Sequence, residues 1–163
     1  MTKMVQPPRK LRLYLDTSVI SDINSGTKRG VITREFFGIV RAHPEEYELV
    51  ISPMTIQELR DAPEKLQRLL FAIIEMMGYV ELPDQVEAEK LAQQYVVAGV
   101  LGEKHIDDLI HIAYGVLARC DYVISWNMKH IVRAKTISAV HEFNRLNFYH
   151  SPNIATPTII TGE

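Results

Sequence analysis

The chain has 163 residues, of which 47% are hydrophobic and 23% charged, as in an ordinary globular protein that buries one core. The formal net charge of −2 argues against avid, non-specific nucleic-acid binding, because such affinity comes mainly from counterions released at phosphates. No apolar run approaches the roughly 20 residues that span a bilayer, and Met1 to Lys10 contains no signal-peptide core. We therefore expect a soluble cytoplasmic protein.

The polar start with its Pro7-Pro8 pair predicts a flexible lead-in over residues 1–8, followed by a single domain over 9–163. Short β-rich runs then alternate with longer helical segments. The predicted strands are Leu11 to Leu15, Glu48 to Ile51, Tyr79 to Leu82 and Tyr122 to Ser125. The predicted helices are Thr33 to Ala42, one starting at Pro53, Leu66 to Met77, Asp84 to Ala98, Asp107 to Arg119 and Met128 to Leu146.

This alternation predicts an α/β fold, a three-layer α/β/α sandwich with a central parallel sheet. Ser52 followed by Pro53 is typical of a helix N-terminus and places Glu58 in the second turn. Apolar residues recur at spacings of three and four until Gly78, as expected for a helix packed on the core. The lone Cys120 cannot form an internal disulfide and is interpreted as a packed thiol in a reducing compartment.

Three acids follow predicted strands or turns. Asp16 ends an apolar strand and precedes two hydroxyls, while Glu58 and Asp108 lie on predicted helices. The carboxyl edge of an open α/β sheet is where such proteins bind ligands. Acids gathered there, without obvious basic neighbours in the sequence, would raise one another's pKa unless a divalent cation neutralised them. Mg²⁺, which prefers oxygen ligands, suits such a set.

Four segments together resemble the PIN domains, a family of metal-dependent ribonucleases that includes the VapC-type toxins. LYLDTSVISDI resembles the opening strand with the first catalytic acid, at Asp16. TIQELRDAP is similar to the helix that supplies the second acid, at Glu58. DDLIHIAYGV is similar to the helix that carries the third, at Asp108. VISWNMKHI resembles the next strand and turn, where the fourth position is Asn127 rather than the acid often found there.

The resemblance implies a PIN-like fold and hydrolysis of RNA phosphodiester bonds, leaving 5′-phosphate and 3′-hydroxyl ends. Mg²⁺, or alternatively Mn²⁺, would be held by Asp16, Glu58 and Asp108. Asn127 would act as a neutral ligand or position water, so that a second ion binds weakly. Thr17 and Ser18 would orient Asp16 or contact a phosphate.

The resemblance also implies partners: an RNA substrate, a cognate antitoxin whose arginine enters the acidic site, and a homodimer. The tail from Asn147 to Glu163 is expected to add an edge strand. RNA contacts are predicted at Lys129, Arg133 and Trp126. A solvated surface explains the two basic residues equally well, and a packed aromatic at the sheet edge explains Trp126 equally well.

The remaining polar residues have simpler interpretations. Asp107 is expected to cap the helix that contains Asp108 rather than to bind metal. His105, His111 and His130 match no zinc-binding spacing, and His111 is expected to pack or to hydrogen-bond along its own helix.

Two further functions remain open. Asn127 is compatible with a non-catalytic PIN-fold module that binds RNA or protein. A phosphotransferase of the haloacid dehalogenase type also places an acid after its first strand, but that family has a second Asp two residues later, where this chain has Ser18.

Overall fold

A computed structural model describes residues 3–4 and 8–163 and shows a parallel sheet enclosed by helices. In this part of the chain the strands are β1 (Leu11–Leu15), β2 (Tyr47–Ile51), β3 (Val80–Glu81), β4 (Tyr122–Ile124) and β5 (Asn153–Ala155). Their order across the sheet is β3-β2-β1-β4-β5, and every neighbouring pair is parallel. The strand that comes first in the sequence therefore lies at the centre.

The helices are α1 (Thr17–Asp22), α2 (Lys28–Ala42), α3 (Pro53–Arg60), α4 (Glu64–Met77), α5 (Val86–Val97), α6 (Ile106–Leu117), α7 (Ala134–Leu146) and α8 (Thr158–Thr161). A short 3₁₀ helix, Glu103–His105, leads into α6. Two layers of helices cover the two faces of the sheet. The predicted α/β class and three-layer sandwich are confirmed.

The alternating side chains of β1 serve two separate cores. Leu13 and Leu15 point to the face covered by α1 to α4, whereas Tyr14 points to the face covered by α5, α6 and α7. On the second face, a Cβ atom at Gly115 would collide with the side chain of Val123, so the glycine allows α6 to lie directly against β4. This close packing fixes the height of α6 over the sheet.

Local signals located several element ends correctly. Ser52 caps α3 by accepting a hydrogen bond from the Thr55 N–H, and Pro53 is the first helical residue. Gly78 ends α4 with φ of +76°, a left-handed region that favours glycine. The expected edge strand in the tail is confirmed as β5. Cys120 is buried, and burial raises the pKa of its thiol to about 12.

Other boundaries were wrong. The helix predicted from Thr33 begins at Lys28, because Thr27 accepts a hydrogen bond from the Gly30 N–H and caps α2 earlier. The helix predicted from Met128 begins only at Ala134, since Asn127 holds the intervening residues in a turn. Asp107 does not cap α6, because it is the second residue of that helix and the capping position is His105.

The chain start is only partly described. Most of the lead-in predicted over residues 1–8 lies outside the described residues, which omit 1–2 and 5–7. Arg9, at the start of the predicted domain, pairs with Asp121 at 2.8 Å. Across the described ranges, every helix is too short or too polar to cross a bilayer.

Candidate active site

The crevice at the carboxyl end of β1 lies where the sheet changes direction. From β1 the chain builds β2 and β3 on one side, then returns to build β4 and β5 on the other. In open parallel sheets, ligands bind at this switch point, outside the carboxyl ends of the strands. Asp16 directly follows β1, and Ser125 and Asn127 closely follow β4, so the predicted position of the first acid agrees with the topology.

Asp16 is buried, and protein donors hold both of its oxygens. One carboxylate oxygen accepts the Ser18 N–H at 2.5 Å, which makes Asp16 the cap of α1, and the other accepts the Ser125 hydroxyl. The Ser18 hydroxyl in turn accepts the Trp126 N–H at 2.9 Å. These bonds join the ends of β1 and β4 and fix the orientation of the carboxylate. Ser18 therefore orients Asp16 through its backbone.

Glu58 lies across the crevice on α3 and is paired with His111 of α6. Its Oε1 atom accepts a hydrogen bond from the Thr17 hydroxyl at 3.1 Å and also faces Nε2 of His111. Thr17 therefore orients Glu58 rather than Asp16. Burial alone would raise the pKa of Glu58, but the bond and charge of His111, aided by Thr17, hold it below its ordinary value.

His111 is the basic residue that interacts with all three acids. Its imidazole is 3% exposed, and burial alone would lower its pKa. The bond to Glu58 and the charges of Asp16, Glu58 and Asp108 outweigh burial, so the pKa of His111 is raised. We expected this histidine to pack or to hydrogen-bond along its own helix; it is packed against Tyr14, but its hydrogen bonds leave the helix. Its partners come from α3 and β1.

The other imidazole nitrogen continues into a buried polar chain. Nδ1 of His111 lies 2.7 Å from the Tyr14 hydroxyl, which lies 2.7 Å from the Ser52 hydroxyl. Burial raises the pKa of Tyr14, so its phenol stays protonated. A protonated His111 can donate to both Glu58 and Tyr14, while Tyr14 donates to Ser52. The helix cap of α3 is thus connected to the acid that α3 presents.

Asp108 lies on the more open side of the crevice. One of its oxygens accepts a hydrogen bond from the Asn127 side-chain amide at 3.2 Å. The other is 3.2 Å from Nδ1 of His130 and 4.0 Å from Nδ1 of His105. Burial raises the pKa of Asp108, and the Asp16 charge adds to this effect, while His130 and His111 oppose it. Asp16 and Asp108 are therefore close enough to affect each other.

Asn127 has a structural role in the turn after β4. Its side-chain carbonyl accepts the His130 N–H at 3.0 Å, and its backbone carbonyl accepts the N–H groups of Ile131 and Val132. Its amide nitrogen faces Asp108, so Asn127 orients that acid with a donor. The carbonyl that we expected to serve as a ligand is engaged within the turn.

The three acids do not form one close group of direct ligands. Among the described residues, two groups of three potential ligands have donor atoms within 4.8 Å of one another, and neither includes Asp16 or Glu58. The acids nevertheless surround His111 closely enough for all three charges to raise its pKa. Mg²⁺ keeps several waters and needs few direct carboxylates. The donor chemistry therefore fits Mg²⁺ or Mn²⁺.

The predicted RNA contacts divide into two kinds. Trp126 is only 6% exposed, its indole N–H donates to the Thr33 hydroxyl at 2.8 Å, and the Arg29 guanidinium lies over its ring. This environment favours the packed aromatic over a base-stacking surface. Lys129 and Arg133 are exposed on the segment that follows Asn127, where either a phosphate or water can meet them.

Sequence reasoning missed Ser125, which holds Asp16, and the cross-helix role of His111. A signal existed for both. Ser125 begins the S-W-N segment that directly follows β4, and His111 lies three residues after Asp108, on the same face of α6.

The chain was compared with known proteins. A scan against protein-family models finds no matching family. A search of curated proteins finds no matching relative.

Proposed function

We propose that this protein is a metal-dependent endoribonuclease that hydrolyses phosphodiester bonds of RNA. The observation that carries the proposal is the gathering of Asp16, Glu58 and Asp108 around one crevice at the switch point of a parallel sheet. The resemblance of the four segments to PIN domains supports the same chemistry. A bound Mg²⁺ or Mn²⁺ would supply the Lewis acidity that activates water and offsets the phosphate charge.

The side chains of the site have separate roles in this proposal. Asp16, Glu58 and Asp108 would hold the ion, with Asp16 fixed by Ser18 and Ser125 before substrate arrives. His111 lowers the pKa of Glu58 and so favours its ionised form.

Asn127 orients Asp108 from the turn after β4. The exposed Lys129 and Arg133 would contact the RNA backbone beside the crevice.

Within this proposal the protein acts in the cytoplasm as the toxin of a type II toxin–antitoxin pair. An antitoxin arginine placed among the three acids would make charge-assisted hydrogen bonds and replace the charge of the ion. The resemblance to VapC-type toxins supports this partner and a homodimer. Co-purification with the product of an adjacent reading frame tests the antitoxin.

Cleavage of a mixed, structured RNA by the purified protein tests the proposal, with Mn²⁺, Mg²⁺ or chelator present. We expect cutting that requires the divalent ion and is lost in Asp16→Asn. Asp107→Asn is the matched control, since it makes the same change at an exposed acid beside Asp108. Divalent-independent cutting, or equal cutting by Asp16→Asn and the wild type, would overturn the proposal.

A second candidate is a non-catalytic PIN-fold module that binds RNA or protein. The engagement of Asn127 within its own turn favours it, because this position adds no charge to the site. Tight RNA binding without cleavage under any metal condition would support this candidate over the first.

A further inference from the structure

We propose that His105, Asp108 and His130 form a binding site for a first-row transition-metal dication, with higher affinity for such ions than for Mg²⁺. The three residues come from the 3₁₀ helix, the first turn of α6 and the turn after β4. Their donor atoms all lie within 4.8 Å of one another. The inference shares Asp108 with the proposed function, but it concerns which ion binds and can be measured without RNA.

The distances suit coordination. Metal bonds to imidazole nitrogen and carboxylate oxygen are about 2.0–2.2 Å, which places neighbouring donors about 3–3.5 Å apart. The Asp108 oxygen and the His130 nitrogen are 3.2 Å apart and already meet this spacing. The His105 nitrogen, 4.0 Å from the same oxygen, needs to move by less than about 1 Å.

The two imidazoles are packed against each other while they face the same carboxylate oxygen. Their ring centroids are 3.8 Å apart, with planes inclined by 33°. Both rings present their Nδ1 atoms to this oxygen. A neutral imidazole nitrogen is a metal ligand, whereas a protonated one is not.

The surroundings leave the donors available. The side chains of His105 and Asp108 are each 23% exposed and that of His130 is 31% exposed, so a hydrated ion can reach them and keep open positions. The Asn127 amide holds the opposite oxygen of Asp108, which leaves the oxygen that faces the imidazoles for the ion.

The donor set determines the class of ion. Two imidazoles and one carboxylate suit Mn²⁺, Fe²⁺, Co²⁺, Ni²⁺ or Zn²⁺, whereas Mg²⁺ prefers oxygen ligands throughout. Asn127 is neutral and brings no charged ligand to this side of the site. The imidazole nitrogens of His105 and His130 supply the donors that a further acid would otherwise supply. The other ligand group, His43 with Glu45 and Glu46, has one imidazole and lies on the exposed surface, which makes it a comparison within the same chain.

Titrations of the metal-free full chain with Co²⁺, Mn²⁺ and Mg²⁺ test the inference. Calorimetry measures all three ions, and visible absorption reports nitrogen ligation of Co²⁺. We expect Co²⁺ to bind at least about 10-fold more tightly than Mg²⁺. His105→Gln and His130→Gln should each weaken Co²⁺ binding by about 10- to 100-fold and change Mg²⁺ affinity by less than about 2-fold. His43→Gln is the matched control and should leave Co²⁺ binding unchanged.

Unchanged Co²⁺ affinity in both His105→Gln and His130→Gln, or equal affinities of the wild type for Co²⁺ and Mg²⁺, would overturn the inference. Both imidazoles are partly exposed, and circular dichroism of each variant checks that the fold is kept. Co²⁺ binding that depends on these histidines, without RNA cleavage in any ion, would support the inference and count against the ribonuclease. Cleavage with Mg²⁺, together with Co²⁺ binding that does not depend on these histidines, would support the ribonuclease and overturn the inference.

Discussion

Asp16 and Asp108 lie on opposite sides of one crevice and are held in different ways. Asp16 is 4% exposed, and each of its oxygens accepts a hydrogen bond from a donor fixed by a strand end or helix start. Asp108 is more open, and one of its oxygens faces two imidazoles that are themselves partly exposed. The difference indicates that protein donors fix Asp16, while the Asp108 oxygen that faces the imidazoles is accessible to a ligand from solvent.

Replacement of either acid should have the largest effect, but the consequences for stability should differ. Asp16→Asn and Asp108→Asn should each reduce metal-dependent RNA cleavage by more than about 100-fold. The loss of a metal ligand costs more activity than the loss of a residue that only orients a ligand. Asp16→Asn should also lower the free energy of unfolding by about 1 kcal/mol, since an amide cannot accept both bonds. Asp108→Asn should not lower it, because burial already disfavours that charge. Cleavage assays and urea denaturation measure the two effects, and equal stability losses would contradict the comparison.

His111→Gln should be the variant that most destabilises the buried part of the site. It leaves Glu58 and Tyr14 without their partner, at a cost of about 1–3 kcal/mol in the free energy of unfolding. The folded-state pKa of His111 is raised above 6.5, so its contribution is complete below pH 6.5 and is lost as the pH rises through the folded value. The folded-state pKa of Glu58 is lowered below 4.5, so its contribution is present above pH 4.5 and is lost as the pH falls through the folded value.

The stability difference between wild type and His111→Gln should therefore be largest between about pH 4.5 and 6.5. Urea denaturation in chelator at several pH values measures it without bound metal. His43→Gln, at an exposed imidazole, controls for the loss of a histidine as such. A difference that does not vary with pH would show that His111 contributes by packing alone.

Ser125→Ala should have an intermediate effect. It removes the donor to one oxygen of Asp16, so that only the Ser18 N–H still holds the carboxylate, which should reduce kcat by about 10-fold while KM stays nearly constant. Ser125→Thr retains the hydroxyl and should restore most of the rate if the role is to position Asp16. A change confined to KM would indicate a substrate contact instead.

Lys129→Gln should have the smallest effect, because this side chain lies on the exposed rim. If Lys129 contacts a phosphate, the slope of log affinity against log salt concentration should fall in magnitude by about one. The loss of affinity should be nearly the same for every RNA sequence. Lys65→Gln, at an exposed position of α4, is the matched control. An unchanged slope would favour the solvated surface as the role of Lys129.

The strands and the order of layers could be predicted because they depend on local patterns. Apolar runs between turn signals marked β1, β2 and β4, and Ser52-Pro53 marked the start of α3. The start of α7 could not be found in this way. Residues 128–132 are held in a turn by the backbone and side chain of Asn127, and no periodicity records those bonds.

The sequence pointed to Asp16, Glu58 and Asp108 through their places after strands or turns and the resemblance to PIN domains, but it did not predict their hydrogen-bond partners. Glu58 and His111 are 53 residues apart, so only tertiary packing brings them into contact. Trp126 lies beside Asn127 in the sequence, yet it turns inward to Thr33 and joins the core. Neighbouring positions after a parallel strand point to opposite faces, which separates a structural residue from one that lines the crevice.

The central strand has a consequence for synthesis of the chain. Tyr14 pairs with Val123, and the Asp16 carboxylate depends on a serine 109 residues later. A ribosome therefore releases more than two thirds of the polypeptide before the crevice can close, and contacts of this range form slowly. A nascent chain without β4 has its first acid but no finished site. Under the proposed activity, a nascent chain could not cleave RNA before β4 and Ser125 have been synthesised.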